Sequence, residues 1–279
     1  MLFTFRRASR LCVPALVVLG MAISDSALAA AEALKVLDDP DACSEALREP
    51  PPPAVGDTPD TLRILSWNTM KYGRDGSREL LERLSTNTDF VFLQEALRSV
   101  APHPSFPGLR YFGDGYAFGR EQSGVELRSV YHAHLECRLS FTEPWLRSPK
   151  IVLATRHAVG RQGLLLVNLH AVNFTLGVGA YAAQLDAVSM LLRSHGGPAI
   201  VAGDFNNWNG KRETALRQFA DANGLSVANF QPDWRSRHLG RPVDGVLLRG
   251  FETLSATAVP TQMSDHHPLL LLLAPARPQ

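Results

Sequence analysis

The chain has 279 residues, 45% of them hydrophobic and 20% charged, the balance of a globular protein with a sizeable core in one large domain or two small ones. Its formal net charge of +1 gives no basic surplus of the kind an electrostatically driven nucleic-acid binder carries, which argues against tight duplex binding. No serine or cysteine nucleophile motif, Walker loop or zinc-type cysteine pair is present in the sequence.

The N-terminus differs in kind from the rest. Arg6, Arg7 and Arg10 precede an apolar run from Leu11 to Ile23, followed by Ser26-Ala27-Leu28-Ala29. This pattern predicts an export signal over residues 1–29, cut after Ala29, and a periplasmic or secreted destination. The run is shorter than the about 20 residues of a membrane span, so an uncleaved anchor is the second reading. Cleavage removes three basic residues and Asp25, leaving 25 basic and 26 acidic residues and a net charge of −1. It also removes Cys12. Cys43 and Cys137 remain, and two thiols in an exported protein can pair. Their separation in sequence leaves that pairing open.

Residues 30–60 read as a Pro-rich leader, because Glu49 to Pro53 contains four consecutive prolines. A single catalytic domain is expected over 61–275. Leu62 to Trp67 reads as a buried strand ending at Asn68, and a helical stretch carries Leu80, Leu81 and Leu84 on one face. Asp89 to Leu93 gives a second strand, ending at Gln94-Glu95. Residues 99–120, with three prolines and four glycines, read as loop. Strand-like runs follow near 125–130, 134–140 and 150–155, and another from Gly163 to Leu169 ends at Asn168 and His170. Tyr181, Leu185, Val188 and Leu192 recur at helical spacing before Gly196-Gly197. Pro198 to Gly203 forms a central strand, a helix covers about 211–222, and strands are expected through Val243 to Leu248, at 253–259 and at 267–273. Apolar strands without strict alternation imply sheets buried on both faces, so two stacked sheets with outer helices fit this order.

Asp204 and Asn206 follow Gly203 two residues apart and would face the same way in an extended segment, an arrangement for holding a metal-bound water or a phosphoryl oxygen. Gly-Asp-Phe-Asn alone also reads as an ordinary strand exit into a turn. The other strand ends decide between these readings. Asn68, Glu95 and His170 each end a strand, Asp244 opens one, and Asp265-His266 lead into the last. Carboxylates suit Mg²⁺ or Mn²⁺, imidazoles titrate near neutrality, and sheet-based enzymes gather their sites at strand termini.

Six pieces in order, Trp67-Asn68, Gln94-Glu95, Asn168-Leu169-His170, Gly203-Asp204-Phe205-Asn206, Val243-Asp244 and Ser264-Asp265-His266-His267-Pro268, resemble the endonuclease/exonuclease/phosphatase superfamily of metal-dependent phosphoesterases over residues 61 to 273. His170-Ala-Val-Asn-Phe174 and Glu143-Pro-Trp-Leu-Arg147 are similar to an exported or membrane-associated bacterial subgroup. The resemblance implies a four-layered α/β/β/α sandwich and hydrolysis of a phosphate ester, foremost a phosphodiester, with Mg²⁺ or Mn²⁺ as cofactor. It implies Glu95 as principal metal ligand with Asn68 and Asp265 around the metal. His266, oriented by Asp244, would face the phosphorus, Asp204 would act on the attacking water, Asn206 would bind a non-bridging oxygen, and His170 would stabilise charge opposite His266. The general base stays open between Asp204 and the His266–Asp244 pair. Members with this histidine often brace it with an upstream acid, here Glu121 or Glu126.

Arg235, Arg241 and Asn173 are candidates for substrate contact, against plain surface or packing roles. His267 is expected to point away from the site. The substrate stays open between nucleic acid, phospholipid and sugar phosphate, and no obligate protein partner is expected of what reads as a monomer. A non-catalytic phosphate-binding module and a phosphomonoesterase are the alternatives.

Overall fold

The computed structural model describes residues 33–54, 59–104, 106–175 and 177–276, so the expected export signal over 1–29 lies outside the described residues. The first elements are β1 (Lys35–Leu37) and α1 (Pro40–Arg48), which correct the expectation of a leader up to residue 60. Asp39 caps α1 by accepting a hydrogen bond from the Ala42 amide, and Pro40 opens it. The helix buries Cys43, Ala46 and Leu47, β1 runs parallel to a later strand, and Cys43 is disulfide-bonded to Cys137 with 6.0 Å between Cα atoms. The prolines of 50–53 merely end this packed segment, and the folded unit reaches back to Ala33.

The chain continues through β2 (Leu62–Asn68), α2 (Ser77–Ser85), β3 (Phe90–Leu97), β4 (Leu109–Phe118), β5 (Glu121–Ser129), β6 (Ala133–Thr142), β7 (Pro149–His157) and β8 (Leu164–His170). Then come α3 (Gly179–His195), β9 (Ala199–Asp204), α4 (Gly210–Ala222), β10 (Ser226–Val227), β11 (Arg237–His238), β12 (Arg241–Pro242), β13 (Asp244–Arg249), β14 (Phe251–Ala258) and β15 (Leu269–Pro275). The first sheet has the order β1-β6-β7-β8-β9-β13-β10 and the second β14-β15-β2-β3-β5-β4, with β11 and β12 a separate hairpin. Residues 109–118, expected as loop, form an edge strand. Its Gly113 is there for close sheet-to-sheet approach: a Cβ would sit 2.6 Å from Ile151 Cγ2.

Two apolar faces per strand explain the near-continuous hydrophobic runs. In β2, Leu62 and Ile64 face the core between the sheets with Phe90, Phe92, Leu166 and Val246, while Leu65 and Trp67 face α2. On the outside of the first sheet, Val167, Leu169 and Val201 pack against α1 and α3 through Cys43, Leu47, Tyr181, Leu185 and Val188. The result is the four-layered α/β/β/α sandwich. Among the described residues no helix is long and apolar enough to cross a membrane.

Strand directions gather the candidate residues. Parallel β2 and β3 end together, as do parallel β8 and β9. Antiparallel β13 starts where β9 ends, and β15 starts where β2 ends. Six strand termini therefore meet at one edge of the two sheets.

Candidate active site

Asp204 is the hub. It is paired in register with His170 on one side and Asp244 on the other. Gly203 permits this close assembly: its φ is +150°, and a Cβ would lie 1.9 Å from the Leu169 carbonyl oxygen, so only glycine fits. The Asp204 carboxylate, 2% exposed, accepts from the Asn206 amide at 2.9 Å and from Asn68 Nδ2 at 3.2 Å. The expected extended Asp-x-Asn segment is instead a turn, since Asn206 has a φ of +47°. Its side-chain amide donates to the Ala171 carbonyl at 3.0 Å, so it reaches Asp204 through its backbone rather than projecting beside it.

Opposite lies His266. Its Nδ1 donates to the Asp244 carboxylate at 2.8 and 2.9 Å, and its Nε2 stands 3.9 Å from Asp204 Oδ2. The carrying loop is pinned to the end of β2: Ser264 Oγ donates to the Asn68 carbonyl and accepts from the His266 amide, and Trp67 Nε1 donates to the His266 carbonyl. Burial alone would lower the His266 pKa, but the Asp244 and Asp204 charges and the Asp244 hydrogen bond push it up to about 10. Burial raises Asp204 above the usual carboxylate range, against the pull of the His266 charge. His267 points elsewhere, its ring donating to the Trp234 carbonyl at 2.7 Å.

His170 is 8% exposed, with Nε2 3.6 Å from Asp204 Oδ2 and 2.8 Å from Lys150 Nζ. An ammonium group only donates, so Nε2 is an acceptor and the ring is neutral. Burial, followed by the charges of Lys150, His266 and Lys71, holds its pKa well below 6.5. Neither acid expected to brace His170 does so. Glu126 is fully buried between Arg110 and Arg128, and Glu121 takes the Ser99 hydroxyl. The brace is Lys150, backed by the buried Glu143 at 3.8 Å, which also accepts from the Asn173 amide and the Ser148 hydroxyl. Lys150 closes the stretch Glu143-Pro-Trp-Leu-Arg-Ser-Pro-Lys150, which reads in sequence as either a rim of the site or a plain surface loop, and the antiparallel pairing of Val152 with Leu169 carries it to the end of β8.

The expected metal ligands converge on the same edge. Asn68 Oδ1 accepts from the Met70 amide, Asp265 is exposed beside Ser264, and Glu95 is turned out of its ladder by a bulge, with φ +51°. The Glu95 carboxylate is ion-paired with Lys71. A tighter cation-capable group is Asp204, Asp244 and His266, whose ligand atoms all lie within 4.8 Å. There, however, His266 is itself the cation held by both acids, and the oxygen donors of Asn68, Glu95 and Asp265 are the chemistry a hard divalent ion takes.

Arg235, Arg241 and Asn173 are not brought into this cluster as open contacts. Arg235 grips Asp233, stacks on Phe230 and donates to the Asp244 carbonyl; Arg241 pairs with Glu213; and the Asn173 side chain accepts from Trp208 Nε1. Sequence reasoning also passed over Arg212. Its fully buried guanidinium lies between the Tyr181 and Trp208 rings and donates to the Val172, Asn173 and Asn206 carbonyls, tying the loops after β8 and β9 together. Beside the cluster opens a cavity of about 520 Å³, reached through Lys71, Glu95, Lys150 and His170.

This assembly matches known proteins at three levels. The model of the Endonuclease/Exonuclease/phosphatase family matches residues 65–266. A UPF0294 protein of Yersinia pseudotuberculosis is 38% identical over 224 residues, covering 78% of this chain and 85% of its own length. The catalytic domain of human Nocturnin, a structure with a bound sulfate anion, superposes with a TM-score of 0.59 at 16% identity, covering 79% of this chain and 97% of that one. TDP2 from Caenorhabditis elegans gives a TM-score of 0.57 at 15% identity, covering 77% and 74%. Members of the matched family are generally phosphoesterase hydrolases and typically depend on divalent metal. With its six strand ends, its acid-held histidine and this match over most of its length, the chain belongs to the Endonuclease/Exonuclease/phosphatase family.

Proposed function

We propose that the protein is a divalent-metal-dependent phosphodiesterase that works by in-line attack of water. The observation that carries this reading is the opposition of a charged imidazole and a neutral one around Asp204: His266 held as an imidazolium by Asp244, and His170 held neutral by the Lys150 ammonium.

A protonated His266 cannot take a proton, so the general base is Asp204, whose raised pKa suits that task. His266 Nε2–H donates to a non-bridging phosphoryl oxygen, with Asp244 fixing the ring through Nδ1. Lys150 supplies positive charge on the cavity side, where His170 positions it. Asn206 holds the Asp204 carboxylate through its backbone amide. Mg²⁺ or Mn²⁺, held by Glu95 with Asn68 and Asp265, would neutralise phosphoryl charge as a Lewis acid. Human Nocturnin, which shares the fold, was solved with a bound sulfate, a tetrahedral anion like a phosphoryl group.

Export is part of the same proposal, supported by the N-terminal signal pattern and by the Cys43–Cys137 disulfide. Hydrolysis of bis-p-nitrophenyl phosphate and p-nitrophenyl phosphate with Mg²⁺, Mn²⁺ or EDTA tests the reading. Metal-dependent turnover favouring the diester is expected. Preference for the monoester would make it a phosphatase, and turnover of neither would favour a binding module.

A further inference from the structure

The 520 Å³ cavity shares Lys71, Glu95 and His170 with the cluster, but its lining contains none of Asp204, Asp244 and His266. A diester with its phosphorus among the cluster residues has this cavity beside it to receive one ester arm. The walls that arm would meet are polar where they adjoin the cluster, at Lys71, Glu95, Lys150 and His170, and carry a set of apolar side chains besides. Val125 and Ile151 are buried there, and Tyr116, Leu146 and Phe174 line the same cavity while remaining 50%, 59% and 49% exposed. Single exposed apolar residues are ordinary on a protein surface. Three around one cavity that opens onto a reactive cluster, with the 61%-exposed Trp145 next to Leu146, form a surface that a ligand is expected to cover.

The charges in the lining do not suit a polyanion. Lys71 is ion-paired with Glu95 and Lys150 lies against Glu143, so the two cations of the lining are balanced by two acids; Lys150 serves the one phosphoryl group and the lining holds no further cation for a second. Binding a nucleic-acid strand relies on cations free to meet successive phosphates, which are absent from this lining; the exposed Tyr116 and Phe174 rings are faces on which one base can stack, and the thymidine ester below tests that. The cavity volume is that of a site for one small molecule or one arm of it.

We propose that this cavity seats a hydrocarbon ester arm, and that the substrate class is an amphiphilic phosphodiester in which one ester alcohol carries an alkyl chain. The assignment rests on the phosphodiesterase reading above. In the reaction, water oxygen bonds to phosphorus, one ester P–O bond breaks, and its oxygen leaves as the alcohol after taking a proton; the products are one phosphomonoester and one alcohol.

The test is a series of alkyl p-nitrophenyl phosphates, methyl, butyl and octyl, hydrolysed by the metal-supplemented full-length protein below their micelle concentrations, with bis-p-nitrophenyl phosphate and thymidine 5′-p-nitrophenyl phosphate alongside. Each methylene moved out of water is worth about fourfold in binding, so kcat/KM is expected to rise at least tenfold from methyl to octyl. Leu146→Asp and Phe174→Asp, both at exposed positions, should flatten the series, bringing the octyl-to-methyl ratio of kcat/KM within each variant close to one. A flat series in the unaltered protein, or a thymidine ester that outruns the octyl ester, would overturn the amphiphile while bis-p-nitrophenyl phosphate turnover upholds the phosphodiesterase. Failure of every diester, bis-p-nitrophenyl phosphate included, would sink both readings and is distinct from the first failure.

Discussion

Lys150 and His170 meet at 2.8 Å, and the ammonium makes the histidine an acceptor. While Lys150 holds it, His170 cannot donate through Nε2, and the stabilisation of charge opposite His266 that the family resemblance implies for it is shared with the Lys150 ammonium. Lys150→Met should remove that charge and release His170 from the largest cationic influence on it, so the His170 pKa should rise while kcat falls by about 10²-fold, the scale of losing one electrostatic donor. Histidine NMR titration together with kcat reads both. Activity and titration both unchanged would show that Lys150 is only a wall of the cavity.

Asp244 acts on activity through the pKa of His266. The folded-state value of about 10 lies above the unfolded 6.5, so the stability this group contributes is fully present below pH 6.5 and is lost as pH rises through 10. Activity should accordingly hold through neutral pH and fall on an alkaline limb near 10. Asp244→Asn weakens the hold on the proton, so the limb should move down by more than one pH unit and neutral-pH kcat should drop by about 10²-fold or more. Asp204→Asn should instead lose activity by about 10³-fold through neutral pH, and by less below the raised Asp204 pKa, with the fold intact by circular dichroism, because it removes the base itself. A pH profile of Asp244→Asn superimposable on the unaltered protein would refute the dyad.

Gly203 offers a purely steric check. At φ +150° with the Leu169 carbonyl oxygen 1.9 Å from any Cβ, Gly203→Ala must push β8 and β9 apart at the level of His170 and Asp204. Destabilisation of about 3 kcal/mol is expected, read as a shift in thermal midpoint, with loss of activity larger than a general stability effect would give. An alanine variant of unaltered midpoint would mean that the strand ends are not as closely packed as Asp204 requires.

How much was legible in the sequence follows from what each residue depends on. Asn68, Glu95, His170, Asp204, Asp244 and His266 stand at strand ends, where apolar runs stop and polar types begin, so the pattern exposes them. Lys150 and Glu143 depend on the registers of two neighbouring strands, which no single run displays. Arg235 and Arg241 looked like phosphate-gathering cations, but Asp233 and Glu213 take them up, and the Arg241 partner is distant in sequence. Residues 109–118 were hidden by glycines required for packing rather than turning. The α1 segment was hidden by the prolines after it, although Asp39-Pro40 is itself a helix-start signal.

That same segment gives the last prediction. Cys43 in α1 and Cys137 in β6 close a loop of 94 residues in sequence separation. Cross-links of that span are worth up to about 4.7 kcal/mol by the chain-entropy account, and less where the reduced chain keeps its structure. Since α1 buries Cys43, Ala46 and Leu47 against the sheet that carries β8 and β9, reduction should lower the thermal midpoint but leave the active cluster assembled, its residues being held by hydrogen bonds that do not pass through α1. Cys43→Ser/Cys137→Ser should behave like the reduced protein, with kcat within about twofold of the oxidised form at 25 °C. Equal midpoints in the two redox states would mean that α1 is held by packing alone; collapse of kcat on reduction would mean that the helix positions the site as well as stabilising it.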